Sequence, residues 1–283
     1  MQDRSLLWMV LGALLLTPGT VFAQQRPLVT EDPETIGSGN ILVEVGFDQL
    51  RHIEFPVAGL AGNLLRLPTF GVSFGISSIA EIQIDGGFYN RLNVTRRYSG
   101  PLSSMLDFSG DTTTDVEDVV VATKVRVVSE KERRPAIGVR FATKLPNASN
   151  ESGLGLDTTD FYAGVLVGKT VQSVRFVGNV GLAILGDPTR GDRQNDTLNC
   201  NLSIARAVAQ GVEVVGEADL RIHTREASAP PGTGARGALR GGARFTRGPV
   251  RLDGGLSFGL SEQDAKFGVT AGLTWVFRAF TIP

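Results

Sequence analysis

Residue types that build staples, metal centres and catalytic sites are scarce in this sequence. Its 283 residues include one cysteine, Cys200, and two histidines, His52 and His223. A single thiol excludes an internal disulfide and a cysteine-based metal centre. Nothing marks a serine that either histidine could activate, so no catalytic residues are assigned and the chain is read as not an enzyme. No metal and no cofactor is expected; acids near Asp111 read as a solvated loop. Neither sign of charge dominates, with 28 basic and 29 acidic residues. There is therefore no global attraction to nucleic acid, and none is expected as a partner. Long apolar runs are also missing after the first residues: no later stretch reaches the roughly 18 uncharged apolar residues of a membrane helix.

The start of the chain is different. Arg4 precedes an unbroken apolar run over residues 6–16, Pro18 ends it, and Val21-Phe22-Ala23 offers small or medium residues at the cleavage positions before Gln24. This reads as an export signal over 1–23, cleaved after Ala23. The run is shorter than the roughly 20 residues a membrane anchor needs. Residues 24–39 are expected as a periplasmic N-terminal segment and 40–283 as one domain.

Within 40–283 the hydrophobic period is two, and helical periodicity is absent. In 212–222, Val212, Val214, Ala218, Leu220 and Ile222 alternate with Glu213, Glu217, Asp219 and Arg221. In 267–280, Phe267, Val269, Leu273, Trp275 and Phe277 alternate with glycine, threonine and Arg278. About twelve such runs are long enough to cross a bilayer as tilted strands. They lie near 40–51, 64–75, 78–92, 115–128, 135–146, 159–169, 172–184, 196–207, 211–223, 235–246, 249–260 and 265–279. Pro68 makes the second the least regular. Short turns alternate with longer connections at 93–114, 146–158, 186–195 and 224–234, as in barrels with tight periplasmic turns and long external loops. A soluble β-sandwich also alternates. Strand length, aromatics gathered at strand ends, and opposite charges on neighbouring polar faces favour an all-β, antiparallel up-and-down transmembrane barrel. Closure removes free edges, which lipid does not tolerate. The last strand should close against the first.

Parity assigns the interior. Basic lumen residues are Lys124, Arg126, Arg140, Lys144, Arg175 and Arg251; acidic ones are Glu44, Asp48, Glu81, Asp85, Glu213, Glu217 and Asp219. Arg91 is also read as inward. Met105, Leu106 and Phe108 are apolar for an external loop and mark 93–114 as a candidate constriction.

Three stretches carry a family likeness: Thr30-Glu31-Asp32-Pro33-Glu34-Thr35-Ile36-Gly37-Ser38-Gly39, then Asp118 with Lys124 and Arg126, then Lys144-Leu145-Pro146. In this order they resemble the outer-membrane β-barrel family associated with meta-pathway phenol degradation and with transport. The resemblance implies a barrel in the outer membrane of a Gram-negative bacterium, and passage of small, aromatic or hydrophobic compounds. The expected function is passive passage of small solutes through a charged lumen. The alternative is a non-conducting structural or binding barrel with paired interior charges. Expected partners are outer-membrane lipids, the barrel-assembly machinery and a small-molecule solute.

Overall fold

The computed structural model describes residues 26–224 and 228–281. The signal sequence and its cleavage site lie outside the described residues. The strands are β1 (Asn40–Phe55), β2 (Leu60–Gly75), β3 (Ala80–Gly87), β4 (Asn90–Arg97), β5 (Thr112–Asp115), β6 (Val119–Val128), β7 (Ala136–Leu145), β8 (Asp160–Val171), β9 (Val174–Gly186), β10 (Gln194–Ala209), β11 (Val212–His223), β12 (Arg236–Arg247), β13 (Val250–Gly259) and β14 (Phe267–Arg278). β3 and β4 are one stave interrupted at Phe88 and Tyr89, because both pair with β2; β5 and β6 are likewise one stave, pairing with β4 and β3. Counted this way the sheet is a closed, twelve-stranded antiparallel barrel.

Closure is by β1, which pairs with both β2 and β14. The β1–β14 ladder runs without a shift from Asn40↔Arg278 to Arg51↔Phe267. The terminal strand therefore closes the barrel against the first, as its alternation required.

The same alternation sorts the two faces. Phe161, Val165, Leu182, Leu202, Val214, Leu252, Leu256 and Leu273 are exposed on the outside. In water such a surface would be unfavourable by about 25 cal/mol per Å²; in a bilayer it is the solvated face. Aromatics gather at both ends of this belt. Trp275 and Phe277 sit 4.4 Å apart at the short-turn end, and Phe258 and Phe267 sit 5.5 Å apart at the long-loop end. Such girdles sit at the two membrane interfaces.

Two features depart from the sequence reading. First, β1 and β2 are longer than expected and form a hairpin reaching past the belt. Inward Leu60, Leu64 and Leu92 build an apolar core there with Ala58 and Val94, and Leu50, Ile53 and Phe55 pack against it. Burial holds the extra turns of strand in place. Pro68 lies inside β2 at a bulge, where Gly46↔Thr69 is followed by Asp48↔Arg66; its carbonyl accepts the Phe88 N–H. Second, the interruption at Phe88 and Tyr89 shifts the parity of the stave. Before it, Glu81 and Gln83 are buried; after it, Asn90, Leu92 and Val94 are. Arg91 therefore faces outward and is exposed, not inward.

Candidate functional site

The barrel interior is occupied by the chain's own N-terminal segment. Residues 26–36, expected to lie in the periplasm, enter at the short-turn end and cross the lumen. The basic wall meets the acids of this segment. Glu31 bridges Lys124 at 3.3 Å and Arg140 at 2.9 Å; Asp32 holds Arg175 at 2.6 Å; Glu34 pairs with Arg126. Wall groups on several sides hold the segment's backbone. Glu217 accepts the Val29 N–H at 2.9 Å and the Thr30 N–H at 2.6 Å, and Glu81 accepts the Ile36 N–H at 2.8 Å. Asn179 takes the Glu31 N–H and donates to the Glu31 carbonyl, both at 2.8 Å. Arg26 then reaches the closing strands, donating to Thr270 at 2.7 Å and Thr69 at 3.1 Å, with Asp48 and Asp253 beyond at 3.7 and 3.6 Å.

Glycines make room for this path. Cβ atoms on Gly46 and Gly272 would collide with the Arg26 guanidinium. One on Gly168 would stand 2.9 Å from Pro33, and one on Gly242 3.0 Å from Pro27. The lumen wall is thus shaped to a segment that makes no strand ladder of its own.

Most of the other lumen charges named from the sequence have partners as well. Lys144 lies between Asp118 at 3.1 Å and Asp160 at 2.9 Å. Arg240 holds Glu217 and Asp219 at 2.8 and 3.2 Å. Arg251 lies 3.9 Å from Glu213, Asp85 3.8 Å from Arg140, and Glu44 accepts a hydrogen bond from Thr274 at 3.1 Å. Above Arg26 a cavity of about 470 Å³ remains, bordered by Asp48, Arg66, Asp85, Arg140, Tyr162 and Arg240.

The extracellular end is covered by loops. Leu106 and Phe108 of the 98–111 loop pack against the apolar core with Leu154, whereas Met105 is exposed. The loop is pinned by Leu102 N–H to the Val57 carbonyl at 2.9 Å and Asp107 N–H to the Glu151 carbonyl at 3.0 Å. Leu60 is fully buried in this cap. Leu60→Ala is expected to cost about 2–4 kcal/mol and to open new protease cleavage within 98–111 on intact cells. Unchanged cleavage would mean that the loop is held independently of the core.

Sequence reasoning missed Arg26, Glu31, Asp32 and Glu34 as lumen residues, and on β12 Arg240 and Arg244. The β12 arginines were findable: Arg236, Arg240 and Arg244 fall at one parity of RGALRGGARFTR. The segment has no alternation to betray it.

The model of a family described as "Putative MetA-pathway of phenol degradation" matches residues 24–277. No curated protein matches the sequence. Among solved structures, an outer membrane channel from Pseudomonas putida F1 is 14% identical, with a TM-score of 0.61 over 87% of this chain and 98% of that one. The translocator domain of the autotransporter NalP from Neisseria meningitidis is 12% identical, with a TM-score of 0.51 over 85% of this chain and 89% of that one. These likenesses show the fold. With the apolar belt and its girdles, they place the chain in the outer membrane, in contact with its lipids. One expectation is corrected. The chain was read as not an enzyme, but nothing in the fold or in its likenesses is positive evidence against catalysis. Barrel architecture is therefore no ground for setting catalysis aside.

Proposed function

The chain belongs to the family of the MetA pathway of phenol degradation, and from this premise we propose that it is an outer-membrane channel for small solutes, closed in the present state by residues 26–36. One observation carries the reading. The obstruction is a tethered segment held by side-chain pairs, so it can leave without breaking any rung of the barrel. A plug built from wall residues could not. The apolar cap over Leu60, Leu64 and Leu92 supports a solute that is itself small and apolar or aromatic, in keeping with the family's description. The charged cavity below it supports a solute that also carries a polar group, since buried polar groups must be matched.

Conductance of the refolded protein in a planar bilayer tests this. Arg175 grips Asp32 with two hydrogen bonds at 2.6 and 2.9 Å. Arg175→Glu is expected to replace that grip with repulsion and to produce frequent openings where the native chain rests mostly closed. The second reading, a structural barrel with permanently paired charges, requires silence from both proteins once they are shown to be folded and inserted.

A further inference from the structure

The outer wall changes character in the sector built from β1, β2 and β4. The lipid-facing belt there includes Val45, Leu67, Phe88 and Tyr89, all exposed, and ends on β1 at Phe47. Beyond it, toward the long-loop end, the outward positions become Gln49, Arg51, Asn63, Arg91, Asn93 and Arg96, with Leu65 standing between Gln49 and Arg91. Arg91 belongs to this face because the interruption at Phe88 and Tyr89 turns it out of the lumen. Arg91 opposes Leu65, which opposes Gln49 on β1, and Arg51 lies one pleat further along β1. The two arginines are thus two strands apart and offset by one pleat, a backbone separation of roughly 12 Å at the usual strand dimensions.

Their partners set them apart from the lumen arginines. Arg66, Arg126, Arg140, Arg175 and Arg240 all stand in ion pairs. Among the described residues, Arg51 and Arg91 make no ion pair and no side-chain hydrogen bond. The outward acid on these three strands is Glu54, already bridged to Arg96. Glu44 and Asp48 point into the lumen. The face therefore offers two uncommitted guanidinium forks immediately beyond an apolar belt, with the phenol ring of Tyr89 at the boundary. Guanidinium forks match phosphate oxygens two by two. Tyrosine is enriched at the headgroup level, where its ring lies in lipid and its hydroxyl in water. At the long-loop end of an outer-membrane barrel, the anion standing at that height is the phosphorylated glycolipid of the outer leaflet.

We propose that Arg51 and Arg91, with Tyr89 beneath them, form a binding site on the outer wall for the phosphate groups of one lipopolysaccharide molecule. The glycolipid's acyl chains lie along Leu67 and Phe88, and its phosphates bridge the two strands. Bound there, it ties the β1–β2 hairpin to the β4 stave from outside, at the level where the apolar cap holds them from inside.

Native mass spectrometry of the full chain in mild detergent, titrated with purified lipopolysaccharide, tests the site. One lipopolysaccharide per chain is expected at low ligand. Arg51→Gln with Arg91→Gln is expected to weaken it by about tenfold, as charge-assisted phosphate contacts are lost. Arg51→Lys with Arg91→Lys keeps the charge and should recover part of the loss. Arg206→Gln is the control, since Arg206 is exposed near the opposite end of β10; it should bind like the native chain. Inorganic phosphate should not displace the glycolipid at equal concentration, because the belt contacts need acyl chains. Folded protein is selected by its heat-modifiable gel shift, and if the double variant does not fold, Arg91→Gln alone carries the comparison. Equal affinity of native and Gln variants, an equal loss in the Arg206 variant, or displacement by free phosphate would each overturn the site.

Discussion

Deleting residues 26–36 is expected to turn a nearly silent barrel into a steadily conducting one. The effect should be large because the segment crosses the lumen and bonds to walls on most sides. It touches walls contributed by β1, β2, β3, β6, β7, β9, β11, β12 and β14. Most of the groups it leaves behind are polar, Leu42 and Val276 beside Ile36 being the apolar ones. Lys124, Arg140, Arg175, Glu81 and Glu217 would face an empty lumen, and water would follow them in, since buried charges without partners cost several kcal/mol each. A twelve-stranded barrel lies between filled eight-stranded barrels and open sixteen-stranded porins. At this width, occupancy of the lumen decides conduction. The unitary conductance of the deletion variant should exceed that of the native chain by at least roughly tenfold, and the exposed basic wall should shift selectivity toward anions. Adding back a synthetic peptide of residues 26–36 should restore block from the short-turn side alone. A folded, inserted deletion variant that stays silent would reject the channel reading and leave a barrel closed from above by its loops.

The sequence carried the barrel clearly and its contents poorly, and the difference is physical. A strand facing lipid on one side and polar groups on the other must alternate, so β11, β13 and β14 announce themselves in VEVVGEADLRIH, VRLDGGLSFG and FGVTAGLTWVFR. Each lumen charge named from parity in β6, β7 and β9 faces a partner, because parity is a property of the strand. The partner itself was not legible. The stretch PLVTEDPETIGSG has no period, and its acids read as solvated until the wall opposite them is known. The parity shift at Phe88 and Tyr89 was hidden for a related reason. Gly86 and Gly87 precede two aromatics that suit either face of a strand, so IQIDGGFYNRL reads as one unbroken run and sends Arg91 to the wrong side. The length of the β1–β2 hairpin was also unreadable, since it depends on Leu106, Phe108 and Leu154 folding back from distant loops. One hint was present. Lumen-facing glycines stand at 46, 168, 242 and 272, and Arg26, Pro27 and Pro33 of the segment run beside them.

Lys124→Met should destabilise the native chain more than any other single lumen substitution, and the deletion variant much less. The ammonium of Lys124 is 1% exposed and lies 3.3 Å from Glu31 and 3.0 Å from Glu81, with Gln83 donating to Glu81 at 2.9 Å. Removing it leaves Glu81 without a cation and Glu31 with Arg140 alone, in a closed space, at a cost of about 3–5 kcal/mol. The two acids have different owners: Glu81 belongs to the wall and Glu31 to the segment. The chain can relieve the repulsion by letting the segment go, which surrenders the bonds of Asp32, Glu34 and Arg26 as well. The same substitution should therefore lower the denaturant midpoint of the native chain and raise its conductance. Without residues 26–36, Glu31 is gone, water reaches Glu81, and the cost should fall to about 1 kcal/mol. The difference between the two backgrounds is the coupling between wall and segment. Adding Glu81→Gln to Lys124→Met should return most of the lost stability in the native chain, because the buried charge that lost its partner is then neutral. If Lys124→Met costs the same with and without the segment, Lys124 is not coupled to it, and the grip that closes the lumen must lie at Arg26 and Asp32.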